Sequence, residues 1–199
     1  MQDLDLNIRH GAYLPHWTKD GAVYHVRFRL ADSLPQEKLK MISDERKGLM
    51  NRIKNRKPTK YELKRIDELF SESVEGFLDA GYGACWLNRN DVAKIATSTL
   101  TFFDQDHYDL YAWCIMPNHI HVVVKPDGNY QLQNIVKSWK SFIAKSSNKI
   151  IGRTGTFWQR EYYDHIIRKE ERIETVIDYV WKNPDKAGLK NWPWRWKSI

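Results

Sequence analysis

The sequence is organised around one largely apolar stretch, Trp113-Cys114-Ile115-Met116-Pro117-Asn118-His119-Ile120-His121-Val122-Val123-Val124. Successive side chains of a strand point to opposite faces, so His119 and His121 share one face and Ile120 lies on the other. Residues 110–116 are also strand-like and Pro117-Asn118 is typical of a turn, so this region predicts a β-hairpin. Imidazoles at positions i and i+2 are able to bind one metal ion. Two ordinary histidines at chance spacing account for the pattern equally well.

The composition predicts a single basic domain over residues 1–199. This length allows one well-packed core and is short for two. The net charge of +7 and the 13% of aromatic residues favour an anionic partner, of which nucleic acid is the commonest. Cys85 and Cys114 lie in apolar surroundings without metal-ligand spacing, which favours a reducing, cytoplasmic setting. No signal peptide or membrane-spanning run is evident, so we expect no membrane partner.

Hydrophobic periodicity predicts an α+β fold in which helices pack on one face of an antiparallel sheet. A helical hairpin at about residues 36–80 is inserted after the first strand, and Thr59 and Glu62 have the spacing of a capping box within it. The predicted order is a strand at 22–30, helices at 35–55 and 59–81, a helix capped by Asn90 or Asp91, the hairpin, a helix at 132–148, a strand at 157–168, a helix at 170–183 ended by Pro184, and an extended aromatic, basic tail at about 190–199.

Two basic strips are candidates for contact with phosphate groups, although a solvated charged face is the alternative interpretation of each. Trp139 and Phe142 lie on the predicted inward face of helix 132–148, and its lysines lie on the outward face. The residues assigned to DNA binding are Arg52, Lys54, Arg56 and Lys57 in the insert, and Lys137 and Lys140 in the later helix.

The last predicted helix carries further candidates for the site. Tyr179 and Asn183 are four residues apart, so they lie one above the other on one helical face, about 5–6 Å apart at Cβ. If this face lies over the histidines, Asn183 gives an amide oxygen to the ion and Tyr179 points at a substrate atom beside it. The alternative is that Tyr179 is a half-buried aromatic residue and Asn183 a helix C-cap.

Three motifs occur in order along the chain: residues 116–121 (MPNHIH), 157–165 (FWQREYYDH) and 178–189 (DYVWKNPDKAGL). Together with residues 14–17, 24–30 and 192–194, they resemble the REP-associated tyrosine transposases. These are chromosomal relatives of the single-tyrosine HUH transposases of small insertion sequences. The resemblance implies a ferredoxin-like core, and the helical insert belongs only to some members of that family.

The resemblance also implies a role for each matching residue. His119 and His121 are expected to bind a divalent metal, Mg²⁺ or Mn²⁺, and Tyr179 is expected to be the nucleophile. Asn183 is expected to be the third ligand, at a position where other single-tyrosine relatives have glutamine. The shorter asparagine side chain makes its direct contact with the metal less secure than that of the histidines.

Three residues of the second motif are alternatives or additions to this site. Tyr162 and Tyr163 compete with Tyr179 for the role of nucleophile, although they lie on a predicted strand. His165 is a candidate for proton transfer near the site, and a packed strand histidine is the alternative interpretation.

The expected activity is metal-dependent cleavage and joining of single-stranded DNA at REP-type hairpins through a 5′-phosphotyrosine intermediate. The expected partner is hairpin-containing single-stranded DNA, bound by a monomer or homodimer at the nucleoid. A hairpin-binding protein without cleavage activity is the first alternative. A phosphodiesterase that uses water in place of tyrosine is the second. The presence of both histidines, the tyrosine and the asparagine favours retained chemistry.

Overall fold

The computed structural model describes residues 7–10, 15–53, 56, 59, 61–62, 72–167 and 169–198. The strands are β1 (Asn7–His10), β2 (Pro15–Thr18), β3 (Val23–Arg29), β4 (Tyr108–Ile115), β5 (His119–Pro126), β6 (Tyr163–Ile167) and β7 (Arg195–Lys197). The helices are α1 (Gln36–Ile53), α2 (Glu72–Asp79), α3 (Asn90–Thr101), α4 (Leu132–Ile151) and α5 (Ile173–Lys186), with short 3-10 turns at Trp86–Asn88 and Glu170–Arg172.

A five-stranded antiparallel sheet forms the centre of the fold, with strand order β6-β3-β5-β4-β7. The order β3-α3-β4-β5-α4-β6 is the ferredoxin-like arrangement, so the predicted α+β class is confirmed. β5 lies between β3 and β4, with His121 opposite Arg27 on one side and Cys114 on the other. The predicted hairpin therefore occupies the middle of the sheet.

Helices cover both faces of this sheet, so the expectation that they pack on one face is wrong. α3 and α4 contribute to a core that includes Val122 and Val124. α5 packs on the opposite face, in a cluster that contains Met116 and Val123. A strand buried on both faces reads as a continuous apolar run, as residues 122–124 do, and this run requires a second layer of helix.

The helical insert has a small core of its own. Side chains from the loop before α1, from α1 and from α2 are buried together, namely Leu34, Ile42, Val74 and Leu78. The capping box is present, because the Glu62 N–H donates to Thr59 Oγ1 at 3.2 Å and the Thr59 N–H donates to the Glu62 carboxylate at 2.9 Å. The middle of the second predicted helix, residues 63–71, lies outside the described residues.

The two ends of the insert are fastened to each other. The Ala84 N–H donates to the Asp32 carboxylate at 2.9 Å. Gly83 approaches Asp32 so closely that a Cβ atom would lie 2.6 Å from the Asp32 carbonyl oxygen, and its φ is +95°. Both conditions require glycine, which has no Cβ and adopts positive φ readily. The insert is therefore closed at its base by a tight backbone contact.

Several predicted boundaries differ from the structure. α5 continues through Pro184, because a proline in the last turn of a helix removes only one hydrogen bond. The strand expected at 157–168 is confined to β6, preceded by an isolated bridge at Trp158. The N-cap of α3 is Arg89, so the expectation that Asn90 or Asp91 caps it is wrong. Phe142, expected to face inward, is 58% exposed.

The tail forms the edge strand of the sheet. β7 pairs with residues 112–114 of β4. The Trp192 indole N–H donates to the Ile115 carbonyl at 2.8 Å, and the Arg195 guanidinium donates to the Asp185 carboxylate of α5 at 2.6 Å. The tail thus connects α5 to the sheet.

Replacing Gly83 with alanine should lower the free energy of unfolding by about 1–3 kcal/mol, because the new Cβ meets the Asp32 carbonyl in a strained backbone conformation. Gly76→Ala is the matched control within the insert, since nothing lies within 4 Å of a Cβ at that position. It should raise the free energy of unfolding by about 0.5–1 kcal/mol. Urea unfolding of both variants measures the difference, and equal midpoints would contradict the tight contact.

Candidate active site

Two histidine side chains meet inside the protein, on the face of the sheet that α5 covers. His119 and His121 are fully buried, and their Nε2 atoms lie 2.9 Å apart. Two nitrogens bound to one ion at about 2.1 Å lie roughly 3 Å apart when the angle between the bonds is near 90°. The spacing of this pair therefore matches that of two ligands of one cation.

Each imidazole is held through its other nitrogen. His119 Nδ1 lies 2.7 Å from Asn118 Oδ1, and Asn118 Nδ2 donates to the Tyr82 carbonyl at 2.9 Å. His121 Nδ1 lies 2.9 Å from His25 Nε2, and the two rings stack. In the tautomers in which both Nδ1 atoms donate, each facing Nε2 atom carries a lone pair. Two lone pairs at this distance need a cation or a shared proton between them.

Burial keeps these imidazoles neutral at physiological pH. Burial, with smaller contributions from the nearby Arg27 and His165, lowers the pKa of His25 to about 3. Burial also lowers the pKa of His119 and that of His121 well below the usual value, with smaller contributions from neighbouring basic groups. Neutral imidazole is the form that binds a metal ion.

Tyr179 lies on α5 beside the histidine pair of its own chain. The centroid of its half-buried ring is 5.9 Å from that of His121 and 5.8 Å from that of His25, both in edge-on contact. Its hydroxyl donates to the Glu75 carboxylate of α2. Lys186 Nζ lies 4.6 Å from the ring centroid. The structure thus brings the phenol and the imidazole pair into one site.

Asn183, one turn after Tyr179, is 3% exposed, and its Oδ1 atom has no hydrogen-bond partner within the described part of the chain. Leaving a buried carbonyl oxygen without a partner costs about 1–3 kcal/mol, so this atom fits a site that takes a cation. The alternative role as a C-cap is wrong, because α5 continues to Lys186 and its C-cap is Ala187.

The residues of the second motif lie around this site. Tyr163 stands opposite Arg27 across β6 and β3, with the guanidinium 5.4 Å from its ring centroid. Tyr162 packs against the core on the other face of the sheet. His165 is exposed and lies opposite His25 in the register, so it is separated from β5 by one strand.

The structure separates the basic residues assigned to the insert. Arg52 is exposed in the last turn of α1. Arg56 forms a salt bridge with Glu62, with Nη2 2.5 Å from Oε1, and therefore supports the capping box. Lys54 and Lys57 lie outside the described residues.

Lys137 is exposed on α4, as expected, but the expectation that Lys140 faces outward is wrong. Lys140 Nζ donates to the carbonyls of Gln159 and Arg160, both at 2.8 Å. Burial lowers the pKa of Lys140 to about 8. This ammonium group fastens the loop before β6 to α4.

Sequence reasoning did not identify three residues of the site. His25 alternates with Arg27 on β3, and polar residues on one face of a buried strand were the signal for it. Asn118 was interpreted only as a turn residue, although it adjoins His119. Glu75 is one acidic residue among many in the insert, and no pattern in the sequence distinguishes it.

Comparisons with known proteins find matches to transposases. The profile described as "Transposase IS200 like" matches residues 82–183, just over half of the chain. A Haemophilus influenzae protein with the provisional name REP-associated tyrosine transposase is 29% identical over 108 residues, 45% of this chain and 60% of that protein. The REP-associated tyrosine transposase of Escherichia coli K12 is 26% identical over 91 residues, 43% of this chain and 52% of that protein.

Among solved structures, a REP-associated tyrosine transposase bound to a REP hairpin superposes with a TM-score of 0.48 at 14% identity. The superposition covers 94% of this chain and 80% of the other. The matches to the two curated relatives each span less than two thirds of the relative's length. No helix among the described residues is long and apolar enough to cross a membrane.

A ferredoxin-like sheet with a buried histidine pair beside a helix-borne tyrosine defines the class of single-tyrosine HUH proteins. Residues 82–183, which the family profile matches, include both histidines, Tyr179 and Asn183. The chain belongs to the IS200-like transposase family, and the resemblance to REP-associated tyrosine transposases is confirmed.

The buried imidazoles should make the protein less stable as the pH falls below 6.5. The unfolded chain binds a proton at each histidine near pH 6.5, whereas folded His25 does so at about 3, so the unfolded state is favoured within this window. Each imidazole contributes up to about 1.4 kcal/mol per pH unit. The measurement is urea unfolding between pH 7.5 and pH 5 in the presence of EDTA.

In that titration, His25→Asn should reduce the slope below pH 6.5, because an imidazole whose pKa is lowered by folding is removed. Asn88→Ala is the control, since Asn88 is exposed and carries no titratable group, and it should leave the slope unchanged. A His25→Asn slope equal to that of the wild type would contradict the assignment.

Proposed function

We propose that this chain is a metal-dependent single-stranded DNA endonuclease and strand transferase that acts at REP-type hairpins through a covalent tyrosine intermediate. The observation that carries the proposal is the contact of the Tyr179 ring with His121 and His25 within one chain. Membership of a transposase family supports DNA as the substrate.

A divalent cation, Mg²⁺ or Mn²⁺, would be held by His119 Nε2, His121 Nε2 and Asn183 Oδ1. The facing imidazole nitrogens and the unpartnered amide oxygen support this ligand set. Among the described residues, no cluster of three or more His, Cys, Asp and Glu side chains suited to a metal occurs. Bound there, the cation would polarise a phosphate oxygen and offset the charge that develops during attack. Imidazole ligands favour Mn²⁺ over Mg²⁺.

Tyr179 is the proposed nucleophile, and its attack conserves the energy of the phosphodiester bond. A bond forms between Oη and phosphorus, the bond from phosphorus to the 3′-oxygen breaks, and a free 3′-hydroxyl and a 5′-phosphotyrosine result. Attack of a 3′-hydroxyl on this link reverses the step and joins two strands. The phenol is protonated at neutral pH, so the reaction needs a group that takes its proton.

Single-stranded DNA beside a hairpin is the proposed substrate. The net charge of +7 and the exposed cations Arg52 and Lys137 suit phosphate groups, and Trp196, 39% exposed in the tail, is available for base stacking. The names of the two curated relatives support the REP type of hairpin.

Tyr179→Phe should abolish the covalent adduct between the protein and a hairpin oligonucleotide, because the attacking oxygen is removed. Gel-shift affinity should remain largely unchanged, since the ring is retained. Tyr162→Phe and Tyr163→Phe are the matched controls and should still form the adduct, detected by denaturing gel and mapped by mass spectrometry. An adduct that survives in Tyr179→Phe would contradict the assignment. Hairpin binding by the wild type without any adduct would instead indicate the alternative, a binding protein without cleavage activity.

Removal of divalent metal with EDTA should stop adduct formation, and added Mn²⁺ should restore it.

Asn118→Ala should weaken Mn²⁺ binding by about 10–100-fold, because His119 loses the acceptor that orients its ring. Electron paramagnetic resonance of free Mn²⁺, without DNA, measures the affinity. Asn88→Ala at an exposed position is the control, and equal affinities in the two variants would refute the orienting role.

A further inference from the structure

A carboxylate from the helical insert contacts the hydroxyl of Tyr179. The Tyr179 O–H donates to Glu75 Oε1. Arg27 Nη1 lies 3.7 Å from the same oxygen, and the Arg27 side chain is only 6% exposed. The arginine is fixed in β3, so it holds the carboxylate beside the phenol.

His119 and His121 are poorly placed to take the phenolic proton. The two nitrogens of His119 are engaged with Asn118 and His121, and those of His121 are engaged with His119 and His25. A base must lie within hydrogen-bond reach of the proton that it removes. Glu75 meets this condition.

We infer that Glu75 is a catalytic residue that accepts the proton of the Tyr179 hydroxyl as Oη attacks the phosphodiester, an inference that rests on the proposed function. The Oη–phosphorus bond forms, the phosphorus–3′-oxygen bond breaks, the phenolic proton passes to Glu75 Oε1, and the departing 3′-oxygen takes a proton from solvent. In the joining step Glu75 returns the proton to Oη as the tyrosine leaves.

The packing of α2 determines the position of Glu75. Val74 and Leu78, at 4% and 1% exposure, are buried in the core of the insert. After α2, the Tyr82 carbonyl accepts the hydrogen bond from Asn118, the residue that orients His119. The base and the histidine pair are therefore connected through the end of the insert.

Glu75 lies outside residues 82–183, the region that the family profile matches. The nucleophile and the histidines belong to the shared region, whereas the proposed base is supplied by the insert. The insert thus has a role in the chemistry as well as in the fold.

Single-turnover adduct formation on a hairpin oligonucleotide with Mn²⁺ tests the inference. Glu75→Gln keeps the size of the side chain and removes the base, so the rate at pH 7 should fall by about 10²–10⁴-fold while gel-shift affinity is retained. Glu37→Gln, the same substitution at an exposed position of α1, should leave the rate unchanged.

The pH dependence distinguishes proton transfer from a structural role. Among the described residues, the charged and titratable groups around the Glu75–Tyr179 pair include Arg27 and His25 from β3, His121 from β5, Asp79 from α2 and Lys186 from α5. Between pH 7 and pH 9 the wild-type rate should stay nearly constant. The Glu75→Gln rate should rise about tenfold per pH unit, because without a base the reaction needs the ionised phenol. Formate should restore part of the rate of Glu75→Ala, since it fits the space left by the carboxylate.

A slow Glu75→Gln variant with the steeper pH dependence supports the inference. A variant as fast as the wild type or faster overturns it, and so does a slow variant with the wild-type pH dependence. In those cases a Tyr179-dependent adduct in the wild type leaves the proposed function standing. Absence of that adduct from the wild type refutes the proposed function and the role of Glu75 with it.

Discussion

Burial of His119 and His121 is the constraint on which the site depends. Both side chains have no exposure, and an unpaired charge in such a place is costly, so the imidazoles stay neutral. Neutral Nε2 atoms 2.9 Å apart then need a cation or a proton between them. The partners on the Nδ1 side, Asn118 and His25, hold the rings in this orientation. A site that is exposed or loosely packed would let the rings turn away from each other.

The hairpin and its histidine face were predictable because each depends on a short-range pattern. Alternation along residues 119–124 gives the face, and the four-residue spacing of Tyr179 and Asn183 gives one side of a helix. The second helical layer was missed, although the unbroken run 122–124 is apolar on both faces. Charge patterns were less informative, since the position of Lys140 is decided by two loop carbonyls that no spacing reveals.

The contact between Glu75 and Tyr179 could not be predicted from the sequence. Glu75 lies 104 positions before Tyr179, and the contact exists only because the insert folds back over the sheet. The position of the insert depends on the glycine contact at residue 83, on the small core of the insert and on the Asn118–Tyr82 hydrogen bond. Each is a tertiary contact, so neither propensity nor periodicity in a local window predicts it.

The tail holds α5, which carries Tyr179, in place beside the sheet. The Arg195 guanidinium donates to the Trp181 carbonyl at 2.9 Å as well as to Asp185, and Lys197 pairs with Asp178 at 2.8 Å. All three partners lie on α5, while β7 itself is paired with β4. Displacing α5 from the sheet would break these contacts unless the tail moved with it, and moving the tail would remove the edge strand of the sheet. The tail and α5 are therefore fixed to each other and, through β7, to β4.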